Sequence, residues 1–137
     1  MTTPAERPDS SAPSHTPTPG LYGWITHTDF ASHDPAATRD WASQVFGWRF
    51  MPPMPMGAGE YHLFAFADQG GGGIRRTEPS ENPGALPYVH VADAHEAFAR
   101  AVDAGAEPVQ PPERIMEGVT IAIVRAPGGV VIGIAGP

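Results

Sequence analysis

With 137 residues, the chain has length for one domain or two small modules sharing a core, and 41% hydrophobic residues suffice to pack an interior. A net charge of −7 without a basic cluster argues against nucleic acid or an anionic membrane as partner. All basic residues are arginines, so lysine Schiff-base chemistry is excluded. The absence of cysteine excludes disulfides and thiolate metal sites.

Residues 1–20 are rich in Pro, Ser, Thr and Ala and carry few large apolar groups. Such a segment cannot bury enough surface to offset its ordering entropy, which predicts a disordered tail. No apolar run is long enough to span a bilayer, and the N-terminus lacks a signal-peptide pattern, so the expected location is the cytoplasm. Residues 24–50, WITHTDFASHDPAATRDWASQVFGWRF, read as strand, helix, strand. Alternation puts Ile25, His27, Asp29 and Ala31 on one strand face. Asp34 stands at a helix N-cap with Pro35 at the first helical position. Ala37, Trp41 and Val45 recur at helical spacing as the apolar stripe, and Gly47 closes the helix.

Three prolines within 51–56 exclude a central strand there. EYHLFAFAD at 60–68 predicts a strand with His62, Phe64 and Phe66 on one face and Tyr61, Leu63 and Ala65 on the other. Gly70 to Gly73 predict a tight turn or bulge, followed by a short strand through Arg75 and Arg76. No Gly-Lys-Ser/Thr follows, so the glycines are no phosphate loop. Residues 77–85, with Pro79, Pro83 and Gly84, read as a linker. A strand at 86–92 follows. Asp93 and Glu96 then make a capping box, Ala94, Ala97, Phe98, Ala101 and Val102 the helical stripe, and Gly105 the stop. The remainder reads as an extended stretch at 107–110, strands at 119–125 and 130–135, and a turn at Pro127-Gly128-Gly129.

The two halves align. Asp34 falls on Asp93, and Gly47 and Pro53 fall on Gly105 and Pro111 after a one-residue slip. This predicts an α+β fold of two tandem βαβββ modules, 21–78 and 85–137, whose mixed sheets form a cleft. The carrying residues are HTDFASHDPAA at 27–37, Phe46-Gly47-Trp48, the entry from Tyr88 through Val91-Ala92-Asp93, and APGGVVIGI at 126–134. In that order and spacing the chain resembles the vicinal oxygen chelate superfamily of glyoxalases, bleomycin-resistance proteins and extradiol dioxygenases, over about residues 21–136.

The resemblance implies a small-molecule ligand in the cleft and a homodimer. Metal-binding members place a His in the first strand of each module, seven residues before the capping Asp, and a Glu or equivalent in the last. Here His27 occupies the first position. Leu86 and Gly133 occupy two others, and 73–76 offers no clear ligand. His90 lies three residues before its cap rather than seven, and four strand residues span roughly 13 Å. No metal and no cofactor are therefore expected. The expected function is binding, resistance by sequestration, or metal-independent catalysis on a small organic molecule. The other reading is a metal-dependent lyase, isomerase or dioxygenase with relocated ligands.

Candidate catalytic residues are His27, as general base or hydrogen-bond donor, and Asp29, placed to orient its imidazole. Each also reads as structural. His62, Phe64, Phe66, Tyr88 and His90 are candidate ligand-binding residues, since aromatic groups beside a His suit a flat, partly polar molecule. They equally suit a strand core. Arg75 and Arg76 suit a carboxylate or an exposed edge.

Overall fold

The computed structural model describes residues 20–57 and 59–137. The expected disordered tail therefore lies almost wholly outside the described residues. The fold is α+β, with element order β1 (Ile25–Ser32), α1 (Pro35–Phe46), β2 (Arg49–Phe50), β3 (Met54–Met56), β4 (Gly59–Ala67), β5 (Gly70–Arg76), β6 (Gly84–His90), α2 (Ala94–Asp103), β7 (Glu107–Met116), β8 (Val119–Arg125) and β9 (Val131–Gly136).

Two compact units form, one over Asp29–Ala85 and one over 20–28 with Leu86–Pro137. The first half of β1, a neighbour of β6 in the strand order, belongs to the second unit together with the residues just before it, which hydrogen-bond the end of β6. His90 N donates to Trp24 O at 2.7 Å and Gly23 N to His90 O at 2.8 Å. The contiguous division at 21–78 and 85–137 is a proposal about the repeat, distinct from these packing units.

In the first unit β4 pairs antiparallel with β2, β3 and β5. The proline-bearing β3 is a short, exposed strand, consistent with the exclusion of a central strand there. Of the expected turn or bulge, the turn is not formed, since Gly70 to Gly73 are the first half of β5, while the pairing of Gly70 and Gly71 with β4 does shift register between Ala65 and Ala67. Gly71 pairs with Ala65, where an added Cβ would lie 2.9 Å from Ala65 Cα and closer still to Phe64 O. Close backbone approach, rather than a turn, is what the glycine run provides.

Helix α1 starts and stops as its sequence predicts. The Asp34 carboxylate accepts from Ala37 N at 3.1 Å, and Gly47 takes φ 73° at the C-cap. The expected stripe is corrected, however. Trp41 and Val45 are more than half exposed, while Pro35 and Ala42 are buried. Small residues let α1 lie close on β4 and β5, and Trp41 instead meets Phe46 edge-on at 5.2 Å on the surface.

In the second unit β6 runs parallel to β9, and β8 pairs antiparallel with β9 and β7. Strand β7 continues through Pro111 and Pro112, beyond the expected stop, by shifting register between Gln110 and Glu113. Prolines are accommodated because β7 ends the strand order. Of the expected α2 stripe, Ala94, Ala97, Phe98 and Ala101 pack against Ala122, Val124 and Ile134, while Val102 is not part of that cluster. The Asp93 cap accepts from Glu96 N at 3.1 Å.

Candidate functional site

Each unit's sheet has one face covered by its helix and one face carrying polar and aromatic side chains. In the first unit the face away from α1 gathers Asp29 from β1, Tyr61 from β4 and Arg75 from β5, with Tyr61 buried. The Tyr61 hydroxyl donates to Asp29 Oδ1 at 2.5 Å. Arg75 Nε lies 3.9 Å from Asp29 Oδ2. Gly73 makes this geometry available. Any Cβ at Gly73 would fall onto the phenol, 2.5 Å from Tyr61 Cε1, so the bare backbone lets the ring reach across β5 toward β1.

Arg75 also holds Glu81 in a two-pronged pair, Nη1 to Oε1 at 2.9 Å and Nη2 to Oε2 at 2.7 Å. The Arg75 hydrogen bond, followed by that from Glu78 N, holds the Glu81 carboxyl down at about 2, well below the usual carboxylate range. The same pairing raises the Arg75 guanidinium.

His62, Phe64 and Phe66 lie on the opposite face of β4. His62 is 2% exposed, pairs across the strands with Ile74, and has Nε2 3.7 Å from Glu60 Oε1. Burial, then the positive charge of Arg39 on α1, lowers its pKa; Glu60 and Asp40 oppose this. Phe64 stacks on Trp48 at 4.2 Å and 3° and also meets Phe30 and Phe50. Phe66 is half exposed, 6.3 Å from Trp48. These three sequence candidates therefore sit with the α1-side aromatic group, apart from the Asp29–Tyr61–Arg75 cluster.

In the second unit Tyr88 and His90, two apart on β6, are 7% and 3% exposed. The His27 ring meets Tyr88 edge-on at 5.8 Å. Tyr88 pairs in register with Gly133, and its ring fills the space where a side chain at 133 would begin; Tyr88 Cε2 would be 2.6 Å from an added Cβ. The Tyr22 ring lies 5.4 Å from His90. Neither ring nitrogen of His90 has a hydrogen-bond partner among the described residues. Leaving such a group unsatisfied costs roughly 1–3 kcal/mol, which favours a water or ligand atom beside it.

His27 and Asp29 keep the shared strand parity expected of them, each on the side of its own unit away from the helix. Tyr61, Glu81 and Tyr22 had no role in the sequence reading. Only the Gly73 contact, invisible without the β4–β5 register, marks Tyr61.

A residue-family model, the Glyoxalase/Bleomycin resistance protein/Dioxygenase superfamily, matches residues 24–134, and the chain belongs to that superfamily. Among solved structures, it is similar to methylmalonyl-CoA epimerase from Mycobacterium tuberculosis, at 16% identity and TM-score 0.68, covering 90% of this chain and 93% of that one. A Streptomyces coelicolor methylmalonyl-CoA epimerase variant in complex with 2-nitronate-propionyl-CoA is 18% identical with TM-score 0.62, covering 85% of this chain and 97% of that one. A hypothetical protein from Bacillus halodurans is 9% identical with TM-score 0.68, covering 82% and 92%. At these identities the likeness is one of fold. No curated protein sequence matches the chain.

Many members of this superfamily hold a divalent metal. The residues here do not fit one. Among the described residues, no three His, Asp or Glu side chains gather as a metal would require. Of the family's positions His27 keeps a donor, Leu86 has none, and at Gly133 the Tyr88 ring takes the space a carboxylate side chain would need.

Proposed function

We propose that the protein binds a small organic molecule beside Tyr88, His90 and His27 of the second unit without a resident metal, either sequestering it or acting on it by proton transfer. The observation that carries this reading is the Tyr88 ring lying over Gly133, which replaces a ligating side chain by an aromatic surface. Around it stand groups suited to a flat, partly polar ligand. Tyr88 offers a ring face, His90 two unpaired nitrogens, and His27 an imidazole able to accept or donate a proton. In the first unit Asp29, held by Tyr61 and Arg75, is a positioned polar group of that unit alone. His62, Phe64 and Phe66 support the α1-side packing in this reading and touch no ligand.

A library of small acids, aromatic amines and acyl-CoA thioesters, methylmalonyl-CoA included, is to be screened by thermal shift in excess EDTA. Saturating a site at a hundred times its dissociation constant stabilises the folded state by about 2.7 kcal/mol, a readily measured shift. At least one compound is expected to raise the melting temperature with EDTA present, and Tyr88→Leu and His90→Gln are expected to weaken that effect. Shifts seen only after EDTA is replaced by a divalent metal would overturn the reading.

A further inference from the structure

Beyond that reading, the Arg75–Glu81 pair points to a second site in the first unit. We propose that Arg75 is a receptor for a small free carboxylate, and that Glu81 occupies it as an internal stand-in until such a ligand displaces it.

Arg75 presents its planar fork to Glu81 through both terminal nitrogens, at 2.9 and 2.7 Å. This is the geometry by which arginine recognises a carboxylate in two prongs. Glu81 is not part of the sheet. It lies on the segment after β5, between Pro79 and Pro83. Thr77 is tied to the end of β1, its N donating to Ser32 O at 3.0 Å. Among the described residues, the backbone of 78–83 makes no further hydrogen bond outside its own turn. Within that turn Glu81 N donates to Glu78 O at 2.9 Å, and Glu78 N donates to Glu81 Oε1 at 2.7 Å. Ser80 takes φ 70°, a left-handed conformation that costs a non-glycine residue free energy. A segment with few tethers and one strained residue thus folds back to set a carboxylate on Arg75.

The surroundings suit exchange. Between this segment and the starts of β4 and β5's far end runs a groove of about 680 Å³, lined among others by His33, Met56, Glu60, Arg75 and Arg76. That volume is within the range of small-molecule sites. Arg76 is anchored by donating to His33 O at 2.8 Å, which fixes a second guanidinium on the groove wall. Protonation does not open the site at ordinary pH. With its pKa at about 2, Glu81 stays ionised, so a competing carboxylate is the releasing agent.

The test uses the full chain and four probes: propionate, benzoate, succinate and, as the uncharged isostere, propionamide. Binding is followed by the arginine side-chain Nε–H signals in NMR titrations. The carboxylates are expected to perturb the Arg75 signal saturably, whereas propionamide is not. Glu81→Ala removes the internal competitor and is expected to tighten carboxylate binding by roughly tenfold or more. Arg75→Lys in the Glu81→Ala background keeps the charge but loses the fork, and is expected to lose most of the gain. Circular dichroism and backbone spectra establish that each variant is folded. Where a single variant fails to fold, Glu81→Gln serves in place of Glu81→Ala. Unchanged or weaker carboxylate binding in the folded Glu81 variant, equal binding of propionamide, or binding indifferent to Arg75→Lys would each overturn the proposal. None of these outcomes depends on the Tyr88 and His90 groups, so failure here is separable from failure of the proposed function.

Discussion

Phe64→Ala is expected to lower the unfolding free energy by about 3–5 kcal/mol, the usual cost of truncating a fully buried aromatic residue. Phe64 is 2% exposed and lies at the centre of the first unit's aromatic group. Trp48 stacks on it at 4.2 Å, Phe50 lies 5.4 Å away and Phe30 6.1 Å. These rings come from β1, β2, β4 and the α1–β2 connection, so collapse into the vacated space would have to move several elements together. Little relaxation is available, which favours the upper part of the range. Urea unfolding of wild type and variant gives the value directly. A loss under about 1 kcal/mol, the size of an ordinary surface change, would contradict the burial assigned to this ring.

Gly133→Glu, which puts a carboxylate where the family resemblance implies one in metal-binding members, is expected to unfold the chain or lower its stability by more than about 3 kcal/mol. Two costs add. Position 133 is buried, and a new Cβ would meet the Tyr88 ring at 2.6 Å from Cε2 and 2.7 Å from Cγ. Overpacking of that kind costs roughly 1–3 kcal/mol. A carboxylate without a partner in the same place adds further desolvation. The pair Tyr88→Ala with Gly133→Glu separates the two: it is expected to recover the packing part and leave the desolvation part. If Gly133→Glu alone melts like wild type, the Tyr88 ring does not occupy that space, and the argument against a family-type metal site loses its main support.

What the sequence makes legible here is local and repeated. Asp34 with Pro35, and Asp93 with Glu96, announce both helices, because a cap depends only on residues three apart. The expected two-module division rests on these repeated caps. Periodicity was enough to find α1 but not to orient it. Trp41 and Val45 form an apolar stripe, yet the close-packed side is the one where Pro35 and Ala42 permit approach to the sheet. The glycines at 70–73 were legible only in part: the irregular pairing is there, but no turn. Their purpose is contact with Phe64, Ala65 and Tyr61 across a strand pairing, and composition alone reads such a run as a turn. The candidate site divides in the same way. His27, Tyr88 and the bare Gly133 follow from position in the repeat. The Tyr61–Asp29 bond joins residues 32 apart in sequence, and Arg75's choice of Glu81 depends on the fold of the loop after β5. His62 illustrates the limit of alternation: β4 is buried on both faces, so a face rich in aromatic residues did not identify an open one.

The central claim, ligand binding without a resident metal, is tested most directly by elemental analysis of the full chain purified without added metal or chelator. The account expects nickel, zinc, iron, cobalt and manganese all to be far below one equivalent per chain, and equally low in His27→Ala. One equivalent of any of them in the wild type, lost in His27→Ala, would contradict it.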